Sequence, residues 1–171
     1  VRGADRLVLE RATVLLPKVE ALRPQDEQQR EFHNNWLRAV NGSIARAAFG
    51  LGEYATAERA MARALELRAK VPTVRLGERR EQEIERLYMA LVLARLGRTD
   101  EAQRLAGDVL KFERDLAARN RDSAGQRFEL AQALYVAAVA GLGDARTQLA
   151  EADAIVRKLP VEMQRLREVE L

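Results

Sequence analysis

Cysteine is absent from the 171 residues, which excludes disulfides and thiolate metal sites and leaves the compartment open, the cytoplasm being the expected one. Histidine occurs once, as His33, and serine twice, as Ser43 and Ser123. Catalysis usually asks for a nucleophile, an acid or base and a group that orients it. So thin a supply gives no catalytic set, and a single histidine without cysteine does not make a typical zinc site. We therefore expect no enzyme, no metal and no cofactor. No apolar run approaches the ~18 residues of a membrane span, and nothing reads as a secretory leader. Phosphate-cradling glycine motifs are missing too: Gly50-Leu51-Gly52 and Gly141-Leu142-Gly143 close helical runs instead of opening one after a strand.

Charge of one sign is equally scarce. The net charge is +3, with 12 basic and 9 acidic side chains over residues 1–72 and 17 of each over 73–171. Phosphate binding draws its affinity from cations gathered on one surface, so this interleaved charge speaks against nucleic acid. Four lysines, Lys18, Lys70, Lys111 and Lys158, leave nearly all the positive charge to arginine. Runs such as Glu78-Arg79-Arg80-Glu81 read as solvated helix surface with local ion pairs.

What the chain has in quantity is helix-forming sequence. It is 47% hydrophobic and 32% charged, with only four prolines, Pro17, Pro24, Pro72 and Pro160, and Ala, Leu, Glu and Arg dominate, the composition of an all-α protein. In the segment 5–22, Val8, Ala12, Leu15, Leu16, Val19 and Leu22 form one apolar face, and Pro17 is expected to kink the run or start a second helix. Pro24, Asp26 and Glu27 announce the next helix, which extends to about Gly50 and buries Trp36, Leu37, Val40, Ile44, Ala48 and Phe49. Ala57, Ala60, Met61, Ala64 and Leu65 line its return, and residues 71–77 form a loop. Ile84 to Leu96 is apolar almost all round and so belongs in the middle of the molecule. Thr99 or Asp100 is expected to cap the helix carrying Ala102, Leu105, Val109, Phe112 and Leu116. Ser123 and Gln126 have capping-box spacing ahead of an alanine-rich helix, and Leu149, Ala152, Ile155, Val156 and Leu159 line the last return. Met163, Leu166 and Val169 suggest a short terminal helix. Tyr54, Tyr88 and Tyr135 read as packing residues, like Trp36.

Three turns punctuate these runs: Leu51-Gly52-Glu53-Tyr54, Leu96-Gly97-Arg98-Thr99 and Leu142-Gly143-Asp144-Ala145, their glycines 45 and 46 residues apart. So regular an interval implies stacked repeats. With Gly52, Glu53, Tyr54, Ala57 and Ala64 in the first, Gly97, Asp100, Glu101 and Ala102 in the second, and Gly143, Asp144, Ala152 and Pro160 in the third, the pattern resembles the tetratricopeptide repeat. The family unit is about 34 residues, so roughly 11 or 12 extra residues lengthen helices or loops here. HEAT-like repeats have this length, but the Leu-Gly-polar turn favours the tetratricopeptide likeness.

The resemblance implies a solenoid of about three antiparallel helical hairpins, with an extra N-terminal helix and a short C-terminal one, filling residues 1–171 as a single domain. Val1 in place of a methionine leads us to expect a piece of a longer protein. The resemblance further implies a concave groove lined by Arg46 and Phe49, then Leu87, Leu91 and Arg95, then Leu130, Ala133 and Ala137. The basic and amide pattern of the family's acidic-tail clamp is missing. Such a lining suits an amphipathic helix or peptide of a partner, or a flanking segment, so the expected role is a protein-interaction scaffold in a larger regulatory or assembly protein. The alternatives are nucleic-acid or anion binding through Arg75, Arg79, Arg80 and Arg86, and self-association through the terminal helices.

Overall fold

The computed structural model describes residues 2–70 and 76–162, and among these all regular structure is helical. The helices are α1 (Arg2–Glu20), α2 (Glu27–Leu51), α3 (Tyr54–Ala69), α4 (Leu76–Arg95), α5 (Thr99–Arg119), α6 (Ala124–Val139) and α7 (Ala145–Val156). The chain divides into two compact units, Val1–Leu96 and Gly97–Leu171. The boundary falls at the turn expected for the middle hairpin, so α4 belongs to the first unit and α5 to the second.

In the first unit α1 packs on α2, α2 on α3 and α3 on α4. Asp26 caps α2, its carboxylate accepting from the Gln29 N–H at 2.7 Å. The helix ends where Gly52 takes φ 83° and the Glu53 N–H reaches back to the Ala48 carbonyl at 2.8 Å. That left-handed step suits glycine because it has no Cβ to clash. A core of Ala12, Val19, Leu37, Val40, Ile44, Met61, Ala64 and Leu67 joins α1, α2 and α3, and Tyr88 and Met89 of α4 pack against it. At ~1.5–3 kcal/mol for each large apolar side chain buried, this contact is what holds the helices together.

Charge ties the same helices. Arg68 of α3, 7% exposed, donates from Nη2 to Glu81 Oε2 at 2.7 Å and lies 3.5 Å from Glu85. Arg38 of α2 reaches Glu85 at 2.5 Å and Glu81 at 3.6 Å. Glu83, fully buried, is held by Arg79 at 2.7 Å and Arg86 at 2.8 Å. The alternating charges of α4 are therefore not simply solvated surface: part of that helix's charge is used in binding α2 and α3.

The second unit packs α5 on α6 and α6 on α7. Its core mixes alanines with larger residues such as Val109, Leu110 and Leu116. Ala102 and Ala106 of α5 and Ala133, Leu134 and Ala137 of α6 are fully buried. Helix α6 stops at Gly141, φ 73°, with the Leu142 N–H bonded to the Ala137 carbonyl at 2.9 Å. The turn thus begins two residues before the Gly143 expected from the spacing. Asp144 then caps α7.

Several local expectations are corrected. No second helix starts at Pro17, which sits on the exposed side near the end of α1, where the Thr13 carbonyl that loses its helical donor is on an exposed residue. Neither Thr99 nor Asp100 caps α5; Thr99 is its first residue, and Arg98 instead grips Glu101 through two 2.6 Å bonds. Ser123 accepts from the Gln126 N–H at 3.4 Å, but Gln126 does not reciprocate, because the Ser123 N–H is already bonded to the Asn120 carbonyl. Leu76 and Gly77 belong to α4 and not to a loop. Trp36, Ile84 and Leu149 are exposed, and so are Val8, Leu15 and Leu22 of the supposed single face of α1. Ala12, Leu16 and Val19 of that expected face do pack in the core with α2, joined by Leu9, which the sequence reading left out. Pro72, Arg75 and the suggested helix around Met163, Leu166 and Val169 lie outside the described residues.

Candidate interaction site

Where α1 gives way to α2 the chain makes an open pocket of about 240 Å³, lined by Leu22, Arg23, Pro24, Gln29, Phe32, His33 and Trp36. Gln29, Phe32, His33 and Trp36 fall on one face of α2 because they are spaced three and four residues apart. The connecting segment, through Leu22, Arg23 and Pro24, supplies the opposite wall.

Polar bonds fix that wall. His33 Nε2 lies 2.7 Å from the Val19 carbonyl, and since a carbonyl only accepts, Nε2 carries the proton. The Arg23 guanidinium spans the carbonyls of Glu20, Ala21 and Leu22 at 3.2 to 3.3 Å. These are carbonyls that the end of a helix leaves without intrahelical donors. Gln25 closes the connection, donating from its side chain to the Arg23 carbonyl at 2.9 Å and from its N–H to Gln29 Oε1 at 3.0 Å.

The apolar part of the pocket is left to solvent. Phe32 is 57% exposed, Trp36 58% and Leu22 46%. Small-molecule and cofactor sites usually run to ~300–1,000 Å³, so this pocket is sized for a side chain or two of a docking chain. His33 is the only titratable group on α2 that lines it, and it serves the end of α1. No group of three His, Asp or Glu able to hold a metal occurs among the described residues.

The groove positions implied by the repeat likeness are divided between the units. In the first, Arg46 and Arg95 are exposed, Leu91 is half-buried and Leu87 is buried. Phe49 packs its ring against Tyr54 at 5.5 Å and Tyr88 at 5.6 Å, an aromatic cluster that joins α2, α3 and α4. In the second, Leu130 is half-buried, while the methyls of Ala133 and Ala137 are fully enclosed and present no surface to a ligand in this conformation. Of the arginines considered for anion binding, Arg79 and Arg86 hold Glu83.

Reasoning from the sequence missed the corner pocket. A usable signal was present in Phe32-His33-Asn34-Asn35-Trp36, two large rings four residues apart on an otherwise polar helical turn. Fold and corner together define an all-α chain with an open apolar pocket between consecutive helices. Comparison with family models, curated proteins and solved structures returns no match to this chain.

Proposed function

We propose that the chain is a tetratricopeptide-like helical-repeat module that holds an apolar, helix-forming segment of a partner protein, as an interaction scaffold within a larger regulatory or assembly protein. The observation that carries this reading is the pair of exposed rings, Phe32 and Trp36, over an apolar pocket whose walls are already fixed by hydrogen bonds. Exposed aromatic side chains that border a preformed cavity are the usual anchors of protein recognition. Arginine-dependent anion binding has less support, because Arg38, Arg68, Arg79 and Arg86 are taken up by carboxylates of the same unit.

The test is capture of a partner by the chain, with identification and titration of what is captured. The variant Phe32→Ala/Trp36→Ala is expected to lose it, with weak dependence on salt. Arg46→Glu/Arg95→Glu asks whether the implied groove positions contribute. Capture of nucleic acid with steep salt dependence would replace this reading with the anion one, and a mass that grows with concentration in sedimentation would replace it with self-association.

A further inference from the structure

We propose that the outward face of α1 seats an acidic amphipathic helix of a partner protein, its apolar ridge along Val8, Leu15 and Leu22 and its carboxylates over Arg11 and Lys18. This rests on the reading of the chain as a helix-holding module and names the chemistry of the helix held.

Helix α1 carries two apolar rows. Leu9, Ala12, Leu16 and Val19 face α2. Val8 and Leu15 stand 44 and 46% exposed, with Leu7 and Val14 beside them at 48 and 61%, and Leu22, two residues past the end of the helix, continues the seven-residue step at 46%. A seven-residue step returns an α-helix to within about 20° of its starting direction, so the second row is straight and one side chain wide. From Val8 to the end of α1 at Glu20 the face runs about 18 Å at ~1.5 Å per residue, enough for about three turns of a second helix.

The charges on this face are of one sign. Arg11 and Lys18 fall between the exposed apolar residues, both exposed and without an ion pair among the described residues. The carboxylates of α1 are elsewhere. Asp5 is half-buried and lies against Gly50, where a Cβ would come within 2.6 Å of its Oδ2. Glu10 and Glu20 project more than ~90° round the helix from the row, at 100° per residue.

Charge decides among the occupants. A second copy would bring two more cations into the seam and no carboxylate, a like-charge arrangement that opposes association. An anionic bilayer also attracts cations, but interfacial insertion asks for a broad apolar arc, and half the apolar residues of α1 are committed to α2. A helix bearing Glu or Asp opposite Arg11 and Lys18 satisfies both the row and its charge. Leu22 belongs to the row and to the corner pocket, so the helix ends beside Trp36, the single tryptophan of the chain.

The test titrates the whole chain with synthetic amphipathic helices about 18 residues long, leucine on the ridge and Glu, Gln or Lys at the positions facing Arg11 and Lys18, following Trp36 emission. The Glu peptide is expected to bind about tenfold more tightly than the Gln peptide and the Lys peptide most weakly. In Arg11→Glu/Lys18→Glu the order is expected to invert, and binding of the Lys peptide by that variant shows that it is folded. If all three peptides bind alike, the charge assignment falls and the helix-holding reading survives. If none binds, this proposal falls, and the helix-holding reading is decided by the capture test with Phe32→Ala/Trp36→Ala. Binding only to vesicles of anionic phospholipid, or a dimer abolished by Leu15→Glu, would give the face to a bilayer or to a second copy and overturn the proposal.

Discussion

Among the described residues nine large apolar side chains of the first unit stand in solvent, among them Leu15, Leu22, Phe32 and Trp36, against Leu149 and Val161 in the second. The difference follows from how each is packed. Buried alanine is common to both, with Ala45, Ala48, Ala57, Ala64 and Ala90 fully buried in the first unit and Ala102, Ala106, Ala133 and Ala137 in the second, but the second leaves few large side chains over. In the first, large residues on α1 and α2 exceed what the neighbouring helices cover, and charged pairs between α2, α3 and α4 do part of the joining. An unpaid excess of apolar surface marks where another molecule belongs, which puts the proposed binding role in the first unit and a supporting role in the second.

The strongest challenge to this contrast is deletion inside each core. Met61→Ala, at a side chain 1% exposed, is expected to cost ~2–5 kcal/mol in denaturant unfolding. In the second unit the damaging change is enlargement: Ala137→Leu is expected to cost ~1–3 kcal/mol by overpacking. If Ala137→Leu is neutral, the second unit is not tightly packed and the contrast fails. Next in size is Arg68→Met, which leaves Glu81 and Glu85 to Arg38 alone. Breaking a buried pair costs ~3–5 kcal/mol, and the openness of Glu81, 59% exposed, and of Glu85, 14%, reduces this to about half. A double-mutant cycle with Glu85→Gln measures the share that is interaction.

By the same logic Phe32→Ala/Trp36→Ala is expected to change stability by no more than ~0.5 kcal/mol, as exposed substitutions generally do. A large loss in thermal unfolding would mean that the rings hold the fold and are not a free surface. The smallest effect is a pH dependence at the start of α7. The Thr147 hydroxyl, then the Thr147 and Arg146 backbone N–H groups, hold the Asp144 carboxyl below the ordinary aspartate range. A lowered folded-state value means the cap's contribution is complete above the ordinary range and is lost as the pH falls through the lowered one. Hydrogen exchange in the first turn of α7 should therefore quicken only in acid, and in Asp144→Asn it should not change with pH there.

The helices and the Ser123 cap were legible in the chain, because a capping side chain and the groups it bonds lie within one turn, whereas Asp26 was read as a carboxylate at the helix start without its capping bond. Gly52 was legible for the same reason. The Arg68–Glu81 and Arg38–Glu85 pairs were not, since partners 13 and 47 residues apart leave no local spacing to read, whereas Glu78-Arg79-Arg80-Glu81 suggests only neighbours. Helix α1 misled for a geometric reason. Val8 and Leu15 stand close enough in angle to Ala12 and Val19 that two rows merge into one broad stripe. Only the position of α2 shows which row is covered. Trp36 misled by its size, which favours burial on average and says nothing about whether a neighbour is there to provide it.

One consequence follows from the bonds that His33 and Arg23 make to the end of α1. They are formed before any ligand arrives, so the entropy of ordering the corner is charged to folding and not to recognition. Capture should then proceed in a single kinetic phase at an ordinary collision-limited rate, and differences among ligands should appear in how long each one stays.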